Sequence, residues 1–282
     1  MLQEAKTTQS RSLKRKAPEP VTALQLLRQS LASQSQCFYL MRYPSLKPPS
    51  PWLRLRPGKI HELVGPAGSG KSQTALSLCL QAARQNHQAL YLSLRGPSAL
   101  RKMLQRLHQM CSGDETLLTR ILTRCVVETD DLWALLFKEL PQLLQEQSGV
   151  RVLVLDSLAD LLRGQFMAVN NKDLNPTRSS WLMVVASQLL KCASDHGVSI
   201  VVLNQVSFGD NVPALGLSWK HCVQESFLLS RQGNQRRVSL LKSATFPCGG
   251  PGIEFVIGTE GVTLVNPTHT QSRPKQVPSA ST

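Results

Sequence analysis

Eight consecutive residues could do chemistry on their own. Gly65-Pro66-Ala67-Gly68-Ser69-Gly70-Lys71-Ser72 fits the phosphate-binding pattern G-x-x-x-x-G-K-[ST]. A triphosphate needs many donors at close range and little steric bulk. Gly65, Gly68 and Gly70 allow backbone conformations that aim N–H groups inward. Lys71 supplies a mobile cation for the β- and γ-phosphates, and the Ser72 hydroxyl can ligate Mg²⁺. Gln73 follows directly and joins the set. A chance Gly-rich turn is the alternative, but a strand before the motif and a helix after it favour nucleotide binding.

Two further residues could complete such a site. Asp156 ends the apolar run VRVLVLD, and a carboxylate there can anchor Mg²⁺. It could instead cap the next turn. Gln205 ends a second apolar run, and its neutral amide can hydrogen-bond a γ-phosphate or a water. An ordinary polar strand end is equally compatible with it.

Positioning these groups requires a sheet. Strands are predicted at 60–64, 88–94, 122–127, 150–156 and 198–203, with helices at 74–83, 98–110, 130–147 and 180–194. Pro141 should bend or break the third helix. Helix 74–83 places Ala75, Leu76, Leu78, Cys79, Ala82 and Ala83 inward. Helix 98–110 places Leu100, Met103, Leu104 and Leu107 inward and Arg101, Lys102 and Arg106 outward. Alternating strands and helices imply an α/β fold, a mainly parallel sheet with helices on both faces. Further strands are predicted at 226–229, 238–242, 253–257 and 262–265, and the last of these lie too close together for intervening helices, which predicts an antiparallel C-terminal extension. The dinucleotide fingerprint G-x-G-x-x-G does not follow the first strand.

Composition bounds the partners. Of 282 residues, 41% are apolar, and the net charge is +14, which favours a polyanion and nucleic acid first. The apolar stretches are too short for a membrane span, and no signal peptide is visible at the start. Seven cysteines without a C-x-x-C pair suggest neither a disulfide framework nor a zinc site, and fit a reducing compartment. Residues 1–20 read as a disordered basic segment, whose Lys14-Arg15-Lys16 cluster suggests nuclear localisation or a nucleic-acid arm. Residues 21–56 read as a short helix and a Pro-rich linker, 57–265 as the core, and 266–282 as a disordered tail.

The strings GPAGSGKSQTALSLCL, LVLDSLADLLRGQF, VVLNQV and PALGLSW together resemble the eukaryotic RecA-like recombinases, particularly their paralogues. The resemblance covers about residues 21–265. It implies a RecA-type P-loop ATPase core that binds ATP and Mg²⁺. It implies a first DNA-binding loop at about 163–178 and a second at 206–215, with Arg163, Lys172 and Arg178 as candidate phosphate contacts. Single-stranded or branched DNA suits a positive groove without base readout. Phe166 and Phe208 are the only aromatic candidates for stacking in these loops.

Three departures from the family pattern shape the functional expectation. The family's catalytic glutamate ends a Tyr-Ile-Asp-Thr-Glu-Gly-like string, which here is Tyr91-Leu92-Ser93-Leu94-Arg95-Gly96. Arg95 therefore stands in the glutamate's place, and a guanidinium cannot act as a general base at neutral pH. The N-terminal helical DNA-binding domain of the recombinase is not found. Phe38-Tyr39-Leu40-Met41 replaces the Phe-x-x-Ala docking string, which implies pairing with another paralogue subunit, and with the main recombinase, over self-polymerisation. The resemblance thus implies a nuclear, ATP- and DNA-binding paralogue that assists homologous recombination repair of double-strand breaks and is at most a weak DNA-dependent ATPase. Two rivals stand. One is a hydrolysis-driven strand-exchange enzyme or motor, with Glu62 or Glu128 as base. The other is a scaffold subunit with a vestigial nucleotide site.

Overall fold

The nine-stranded sheet at the centre of the protein sorts its residues by the pleat of each strand. In this computed structural model the described residues are 38–43, 50–166, 174–206 and 213–265, with side chains omitted at 164–166 and 174–176. All lie in the unit Cys37–Thr282. The basic segment 1–20, the predicted helix at 21–31 and the tail 266–282 fall outside them.

Six strands form a parallel block: β3 (Ile60–Gly65), β4 (Gln88–Ser93), β5 (Ile121–Cys125), β6 (Val150–Asp156), β7 (Ser199–Gln205) and β8 (Glu225–Gln232). They lie in the order β8-β3-β7-β6-β4-β5. Strands β9 (Gln235–Ser243), β10 (Ile253–Gly258) and β11 (Gly261–Leu264) continue the sheet beyond β8, each antiparallel to its neighbour. The expected antiparallel extension is therefore present. The central strands are apolar on both faces because both faces are covered. On β6, Val152 and Val154 enter one core while Leu153 and Leu155 enter the other. On β7, Val201 and Leu203 oppose Ile200 and Val202 in the same way.

The first core is closed by α1 (Lys71–Arg84) and α2 (Pro97–Met110). The second is closed by α3 (Thr129–Ala134), α4 (Leu140–Glu146), α5 (Leu158–Phe166), α6 (Leu174–His196) and α7 (Gly216–Cys222). All six apolar residues assigned to the inner face of α1 are buried. On α2, Met103 and Leu107 are buried, but Leu104 is 43% exposed, contrary to expectation. Pro141 does not break its helix. A π-helical turn at Leu135–Glu139 joins α3 to α4, and Pro141 follows directly after it at the start of α4.

The described parts of the Pro-rich stretch do more than link. β1 (Phe38–Tyr39) pairs with β2 (Arg54–Leu55), and Phe38, Leu40, Met41, Leu53 and Leu55 are all buried in the first core. The Tyr39 N–H donates to Gln81 of α1. The Phe38–Met41 string is thus engaged within its own chain.

Candidate functional site

Strand register gathers the predicted residues at one edge. Gly65 is paired with Gln205, and Ser93 with Asp156, so β3, β7, β4 and β6 all end there. Ligands bind at this carboxyl edge in open α/β sheets. The edge opens into a cavity of about 500 Å³.

The phosphate loop joins β3 to α1 as predicted. Gly68 and Gly70 have φ of 74° and 109°, which strongly favours glycine. Gly65 is fixed by contact: a Cβ there would lie 2.2 Å from the Leu229 carbonyl oxygen on β8. Gly70 is the N-cap of α1, so no side chain caps the helix, and no acidic residue lies in its first turn. The N–H groups and positive dipole end of α1 remain available to an anion. The Lys71 ammonium donates to the carbonyls of Gly65 at 2.7 Å and Pro66 at 2.9 Å.

The two residues expected to hold Mg²⁺ also meet. Ser72 donates its hydroxyl to Asp156 Oδ2 at 2.9 Å, and the Tyr91 hydroxyl donates to the same oxygen. Burial first, and then Asp156, push the Tyr91 hydroxyl well above its usual pKa, so it remains a donor. Among the described residues no cluster of three or more His, Cys, Asp or Glu could hold a metal ion. A hydroxyl and one carboxylate nevertheless suit Mg²⁺, which takes its other ligands from phosphates and water.

Lys71, Arg95, Arg106, Arg231 and Arg236 bring five cations to the cavity, against Asp156 and Asp160. Among the described residues the buried Nε of Arg236 has no hydrogen-bond partner. A phosphate chain fits this donor set. Burial pulls Lys71 down to about 8, helped by Arg95 and opposed by Asp156 and Asp160. Below that value the ammonium is already in place; above it, binding a polyanion requires proton uptake. Affinity for a nucleoside triphosphate should therefore be about tenfold weaker at pH 9 than at pH 7. Titrations with a fluorescent nucleotide at both pH values check this.

Other predicted residues fall at or beyond the rim. Gln73 accepts from Arg106 Nε at 2.9 Å. Arg106 is therefore turned towards the cavity, although its helix position suggested only solvent. Gln205 lines the cavity and donates to Asp160 at 2.7 and 2.9 Å. Arg163 and Arg178 lie on α5 and α6, so the expected loop at 163–178 is helical at both ends, and its middle, with Lys172, is outside the described residues. Arg163 donates to Gln205 at 3.0 Å, while the half-buried Arg178 donates to the Ala214 carbonyl at 2.6 Å. The second expected loop is described only at its ends, where Val206 bridges Pro213; Phe208 is outside.

Sequence reasoning missed Asp160, Tyr91, Arg231 and Arg236. Only Asp160 left a local signal: Ser157 and Asp160 have capping-box spacing at the start of α5. Neither carboxylate considered as a general base lines the cavity. Glu62 is buried and accepts from Asn204 at 2.8 Å and Ser226 at 2.7 Å. Glu128 is exposed at the N-cap of α3.

Comparison with known proteins agrees with this architecture. Residues 43–206 match the family of AAA domains. The chain is 28% identical over 215 residues to mouse DNA repair protein RAD51 homolog 4, covering 68% of this chain and 63% of that protein. It is 25% identical over 268 residues to the Arabidopsis thaliana DNA repair protein XRCC3 homolog, covering 72% and 86%. With the DNA repair and recombination protein RadB of Methanosphaera stadtmanae it shares 24% identity over 150 residues, covering 53% and 60%. The chain thus spans under two thirds of the length of some of these relatives. With its parallel sheet, phosphate loop and antiparallel extension, the chain belongs to the AAA domain family and is a RAD51-like paralogue similar to XRCC3.

Proposed function

We propose that this chain is an ATP- and DNA-binding recombinase paralogue that assists homologous recombination repair of double-strand breaks. ATP acts as a conformational ligand and is hydrolysed slowly. One observation carries the reading: the cavity holds the cations, helix end and Ser72–Asp156 pair that suit a triphosphate, yet Arg95 lines it where the family places its base. The two carboxylates present are engaged, Asp156 by Ser72 and Tyr91 and Asp160 by Gln205.

Residues Gly65 to Gln73 would hold the phosphates, with Lys71 as the cation. Ser72 and Asp156 would hold Mg²⁺, which when bound neutralises charge between phosphates. Gln205 would report the γ-phosphate. It directly precedes Val206, whose bridge to Pro213 closes the base of the second expected DNA loop. Arg163, Lys172 and Arg178, with the charge of +14, support binding of single-stranded or branched DNA. The burial of Phe38 and Met41 favours another paralogue subunit and the main recombinase as partners over self-polymerisation through that string. The relatives' repair roles favour the nucleus.

Turnover separates this reading from a motor. With saturating ATP, Mg²⁺ and single-stranded DNA, release of phosphate should stay below about 0.01 s⁻¹, two decades under the low end of ordinary enzymes. A rate near 1 s⁻¹ or above would favour the hydrolysis-driven alternative.

A further inference from the structure

Asp160 is the hub of a charged network that faces the nucleotide cavity. Its carboxylate accepts both contacts from Gln205 Nε2, at 2.7 and 2.9 Å. Arg95 Nε lies 3.4 Å from Oδ2, and an Arg163 nitrogen lies 3.6 Å from Oδ1. Arg163 also donates to Gln205 Oε1, which closes the ring of contacts. Arg95, Asp160 and Gln205 line the same cavity as Lys71 and Asp156.

Asp160 also has a plain structural task. Ser157 Oγ donates to Oδ2 at 2.8 Å, and the Asp160 N–H donates back to Ser157 Oγ at 3.2 Å, a reciprocal cap at the start of α5. One oxygen of a neutral amide could serve that cap. The cap therefore leaves unexplained why a full negative charge stands among two guanidiniums and a glutamine beside a phosphate site.

Resting on the nucleotide reading above, we infer that Asp160 sets the chain's discrimination between nucleoside tri- and diphosphates. It acts as an internal counter-anion: its carboxylate occupies Arg95, Arg163 and Gln205 until a terminal phosphate competes for them. A triphosphate must displace the carboxylate and bear its repulsion. A diphosphate reaches neither the network nor its charge to the same degree, so it binds with little penalty. Asp160 is a specificity-determining residue that works through the three groups it holds, and the exchange frees Gln205, next to Val206.

Dissociation constants for Mg·ATP and Mg·ADP test this on the 282-residue chain and on its Asp160→Asn variant, with the thermal midpoint as a folding control. Asparagine keeps the cap and removes the charge. The expected result is ATP binding tightened about tenfold, with ADP changed less than about twofold. Arg163→Gln, which tests the same network from its other side, should weaken ATP by about fivefold and leave ADP alone. Weaker ATP binding in Asp160→Asn, or equal shifts for both nucleotides, overturns the inference while leaving the nucleotide site standing. If Asp160→Asn does not fold, equal effects of Arg163→Gln on ATP and ADP overturn it. A wild-type chain that binds neither nucleotide overturns both readings.

Discussion

Replacing Gly65 by alanine should cost the domain about 3 kcal/mol and abolish most of its nucleotide affinity. The added Cβ would lie 2.2 Å from the Leu229 carbonyl oxygen and 2.8 Å from Ser69 Oγ. The serine hydroxyl could turn aside, but Leu229 is backbone on β8, between β3 and β9. Leu229 cannot yield without disturbing the ladder, so the strain falls on the loop. Overpacking of a fixed site costs about 1–3 kcal/mol, and here the obstacle is the least compliant kind. A domain of this size should lose roughly 6–12 °C in thermal midpoint. Displacement of the loop by even 1 Å should weaken ATP by about a hundredfold. Gly250→Ala is the control: nothing lies within 4 Å of its added Cβ, and neither quantity should change. Thermal unfolding and equilibrium binding of the two variants check the prediction.

Lys71→Ala should have the largest effect on binding with the smallest effect on folding. Among the described residues the ammonium donates to the Gly65 and Pro66 carbonyls of its own loop. Its burial is a cost, expressed in the lowered pKa of about 8. Removing it relieves that cost, and the thermal midpoint should move by less than about 3 °C. A bound triphosphate would lose its central charge-assisted donor, worth about 3 kcal/mol, or a hundredfold to a thousandfold in affinity. Lys71→Arg should recover little, because a forked guanidinium does not replace a compact ammonium in a closed loop.

The sheet was legible because its strands are apolar on both faces and end in polar residues. VRVLVLD fits a covered parallel strand, which puts its final Asp156 at the carboxyl edge. The phosphate loop was legible because its glycines have no cheaper explanation. What stayed hidden depends on long-range packing. Arg231 and Arg236 look like solvent-facing strand residues until β8 and β9 fold over the loop, where a Cβ on Gly68 would lie 3.2 Å from Arg231. Arg106 fits the polar face of an amphipathic helix, and only the approach of β10 supplies its Gly258 carbonyl partner. Phe38, Leu40 and Met41 sit among prolines, whose density suggested a linker, yet their side chains fill a gap in the first core. Pro141 announced a break that a π turn absorbed. Apart from Pro141, each miss is a case where a neighbour distant in sequence overrode a local preference.

Calorimetric titration of Mg·ATP into the purified wild-type chain, repeated with Lys71→Ala, tests the central claim most directly. Saturable binding of one ATP per chain, with a dissociation constant below about 1 mM and lost in the variant, is the predicted result. A folded chain that gives no heat with millimolar ATP, or one that binds equally well without Lys71, would contradict it.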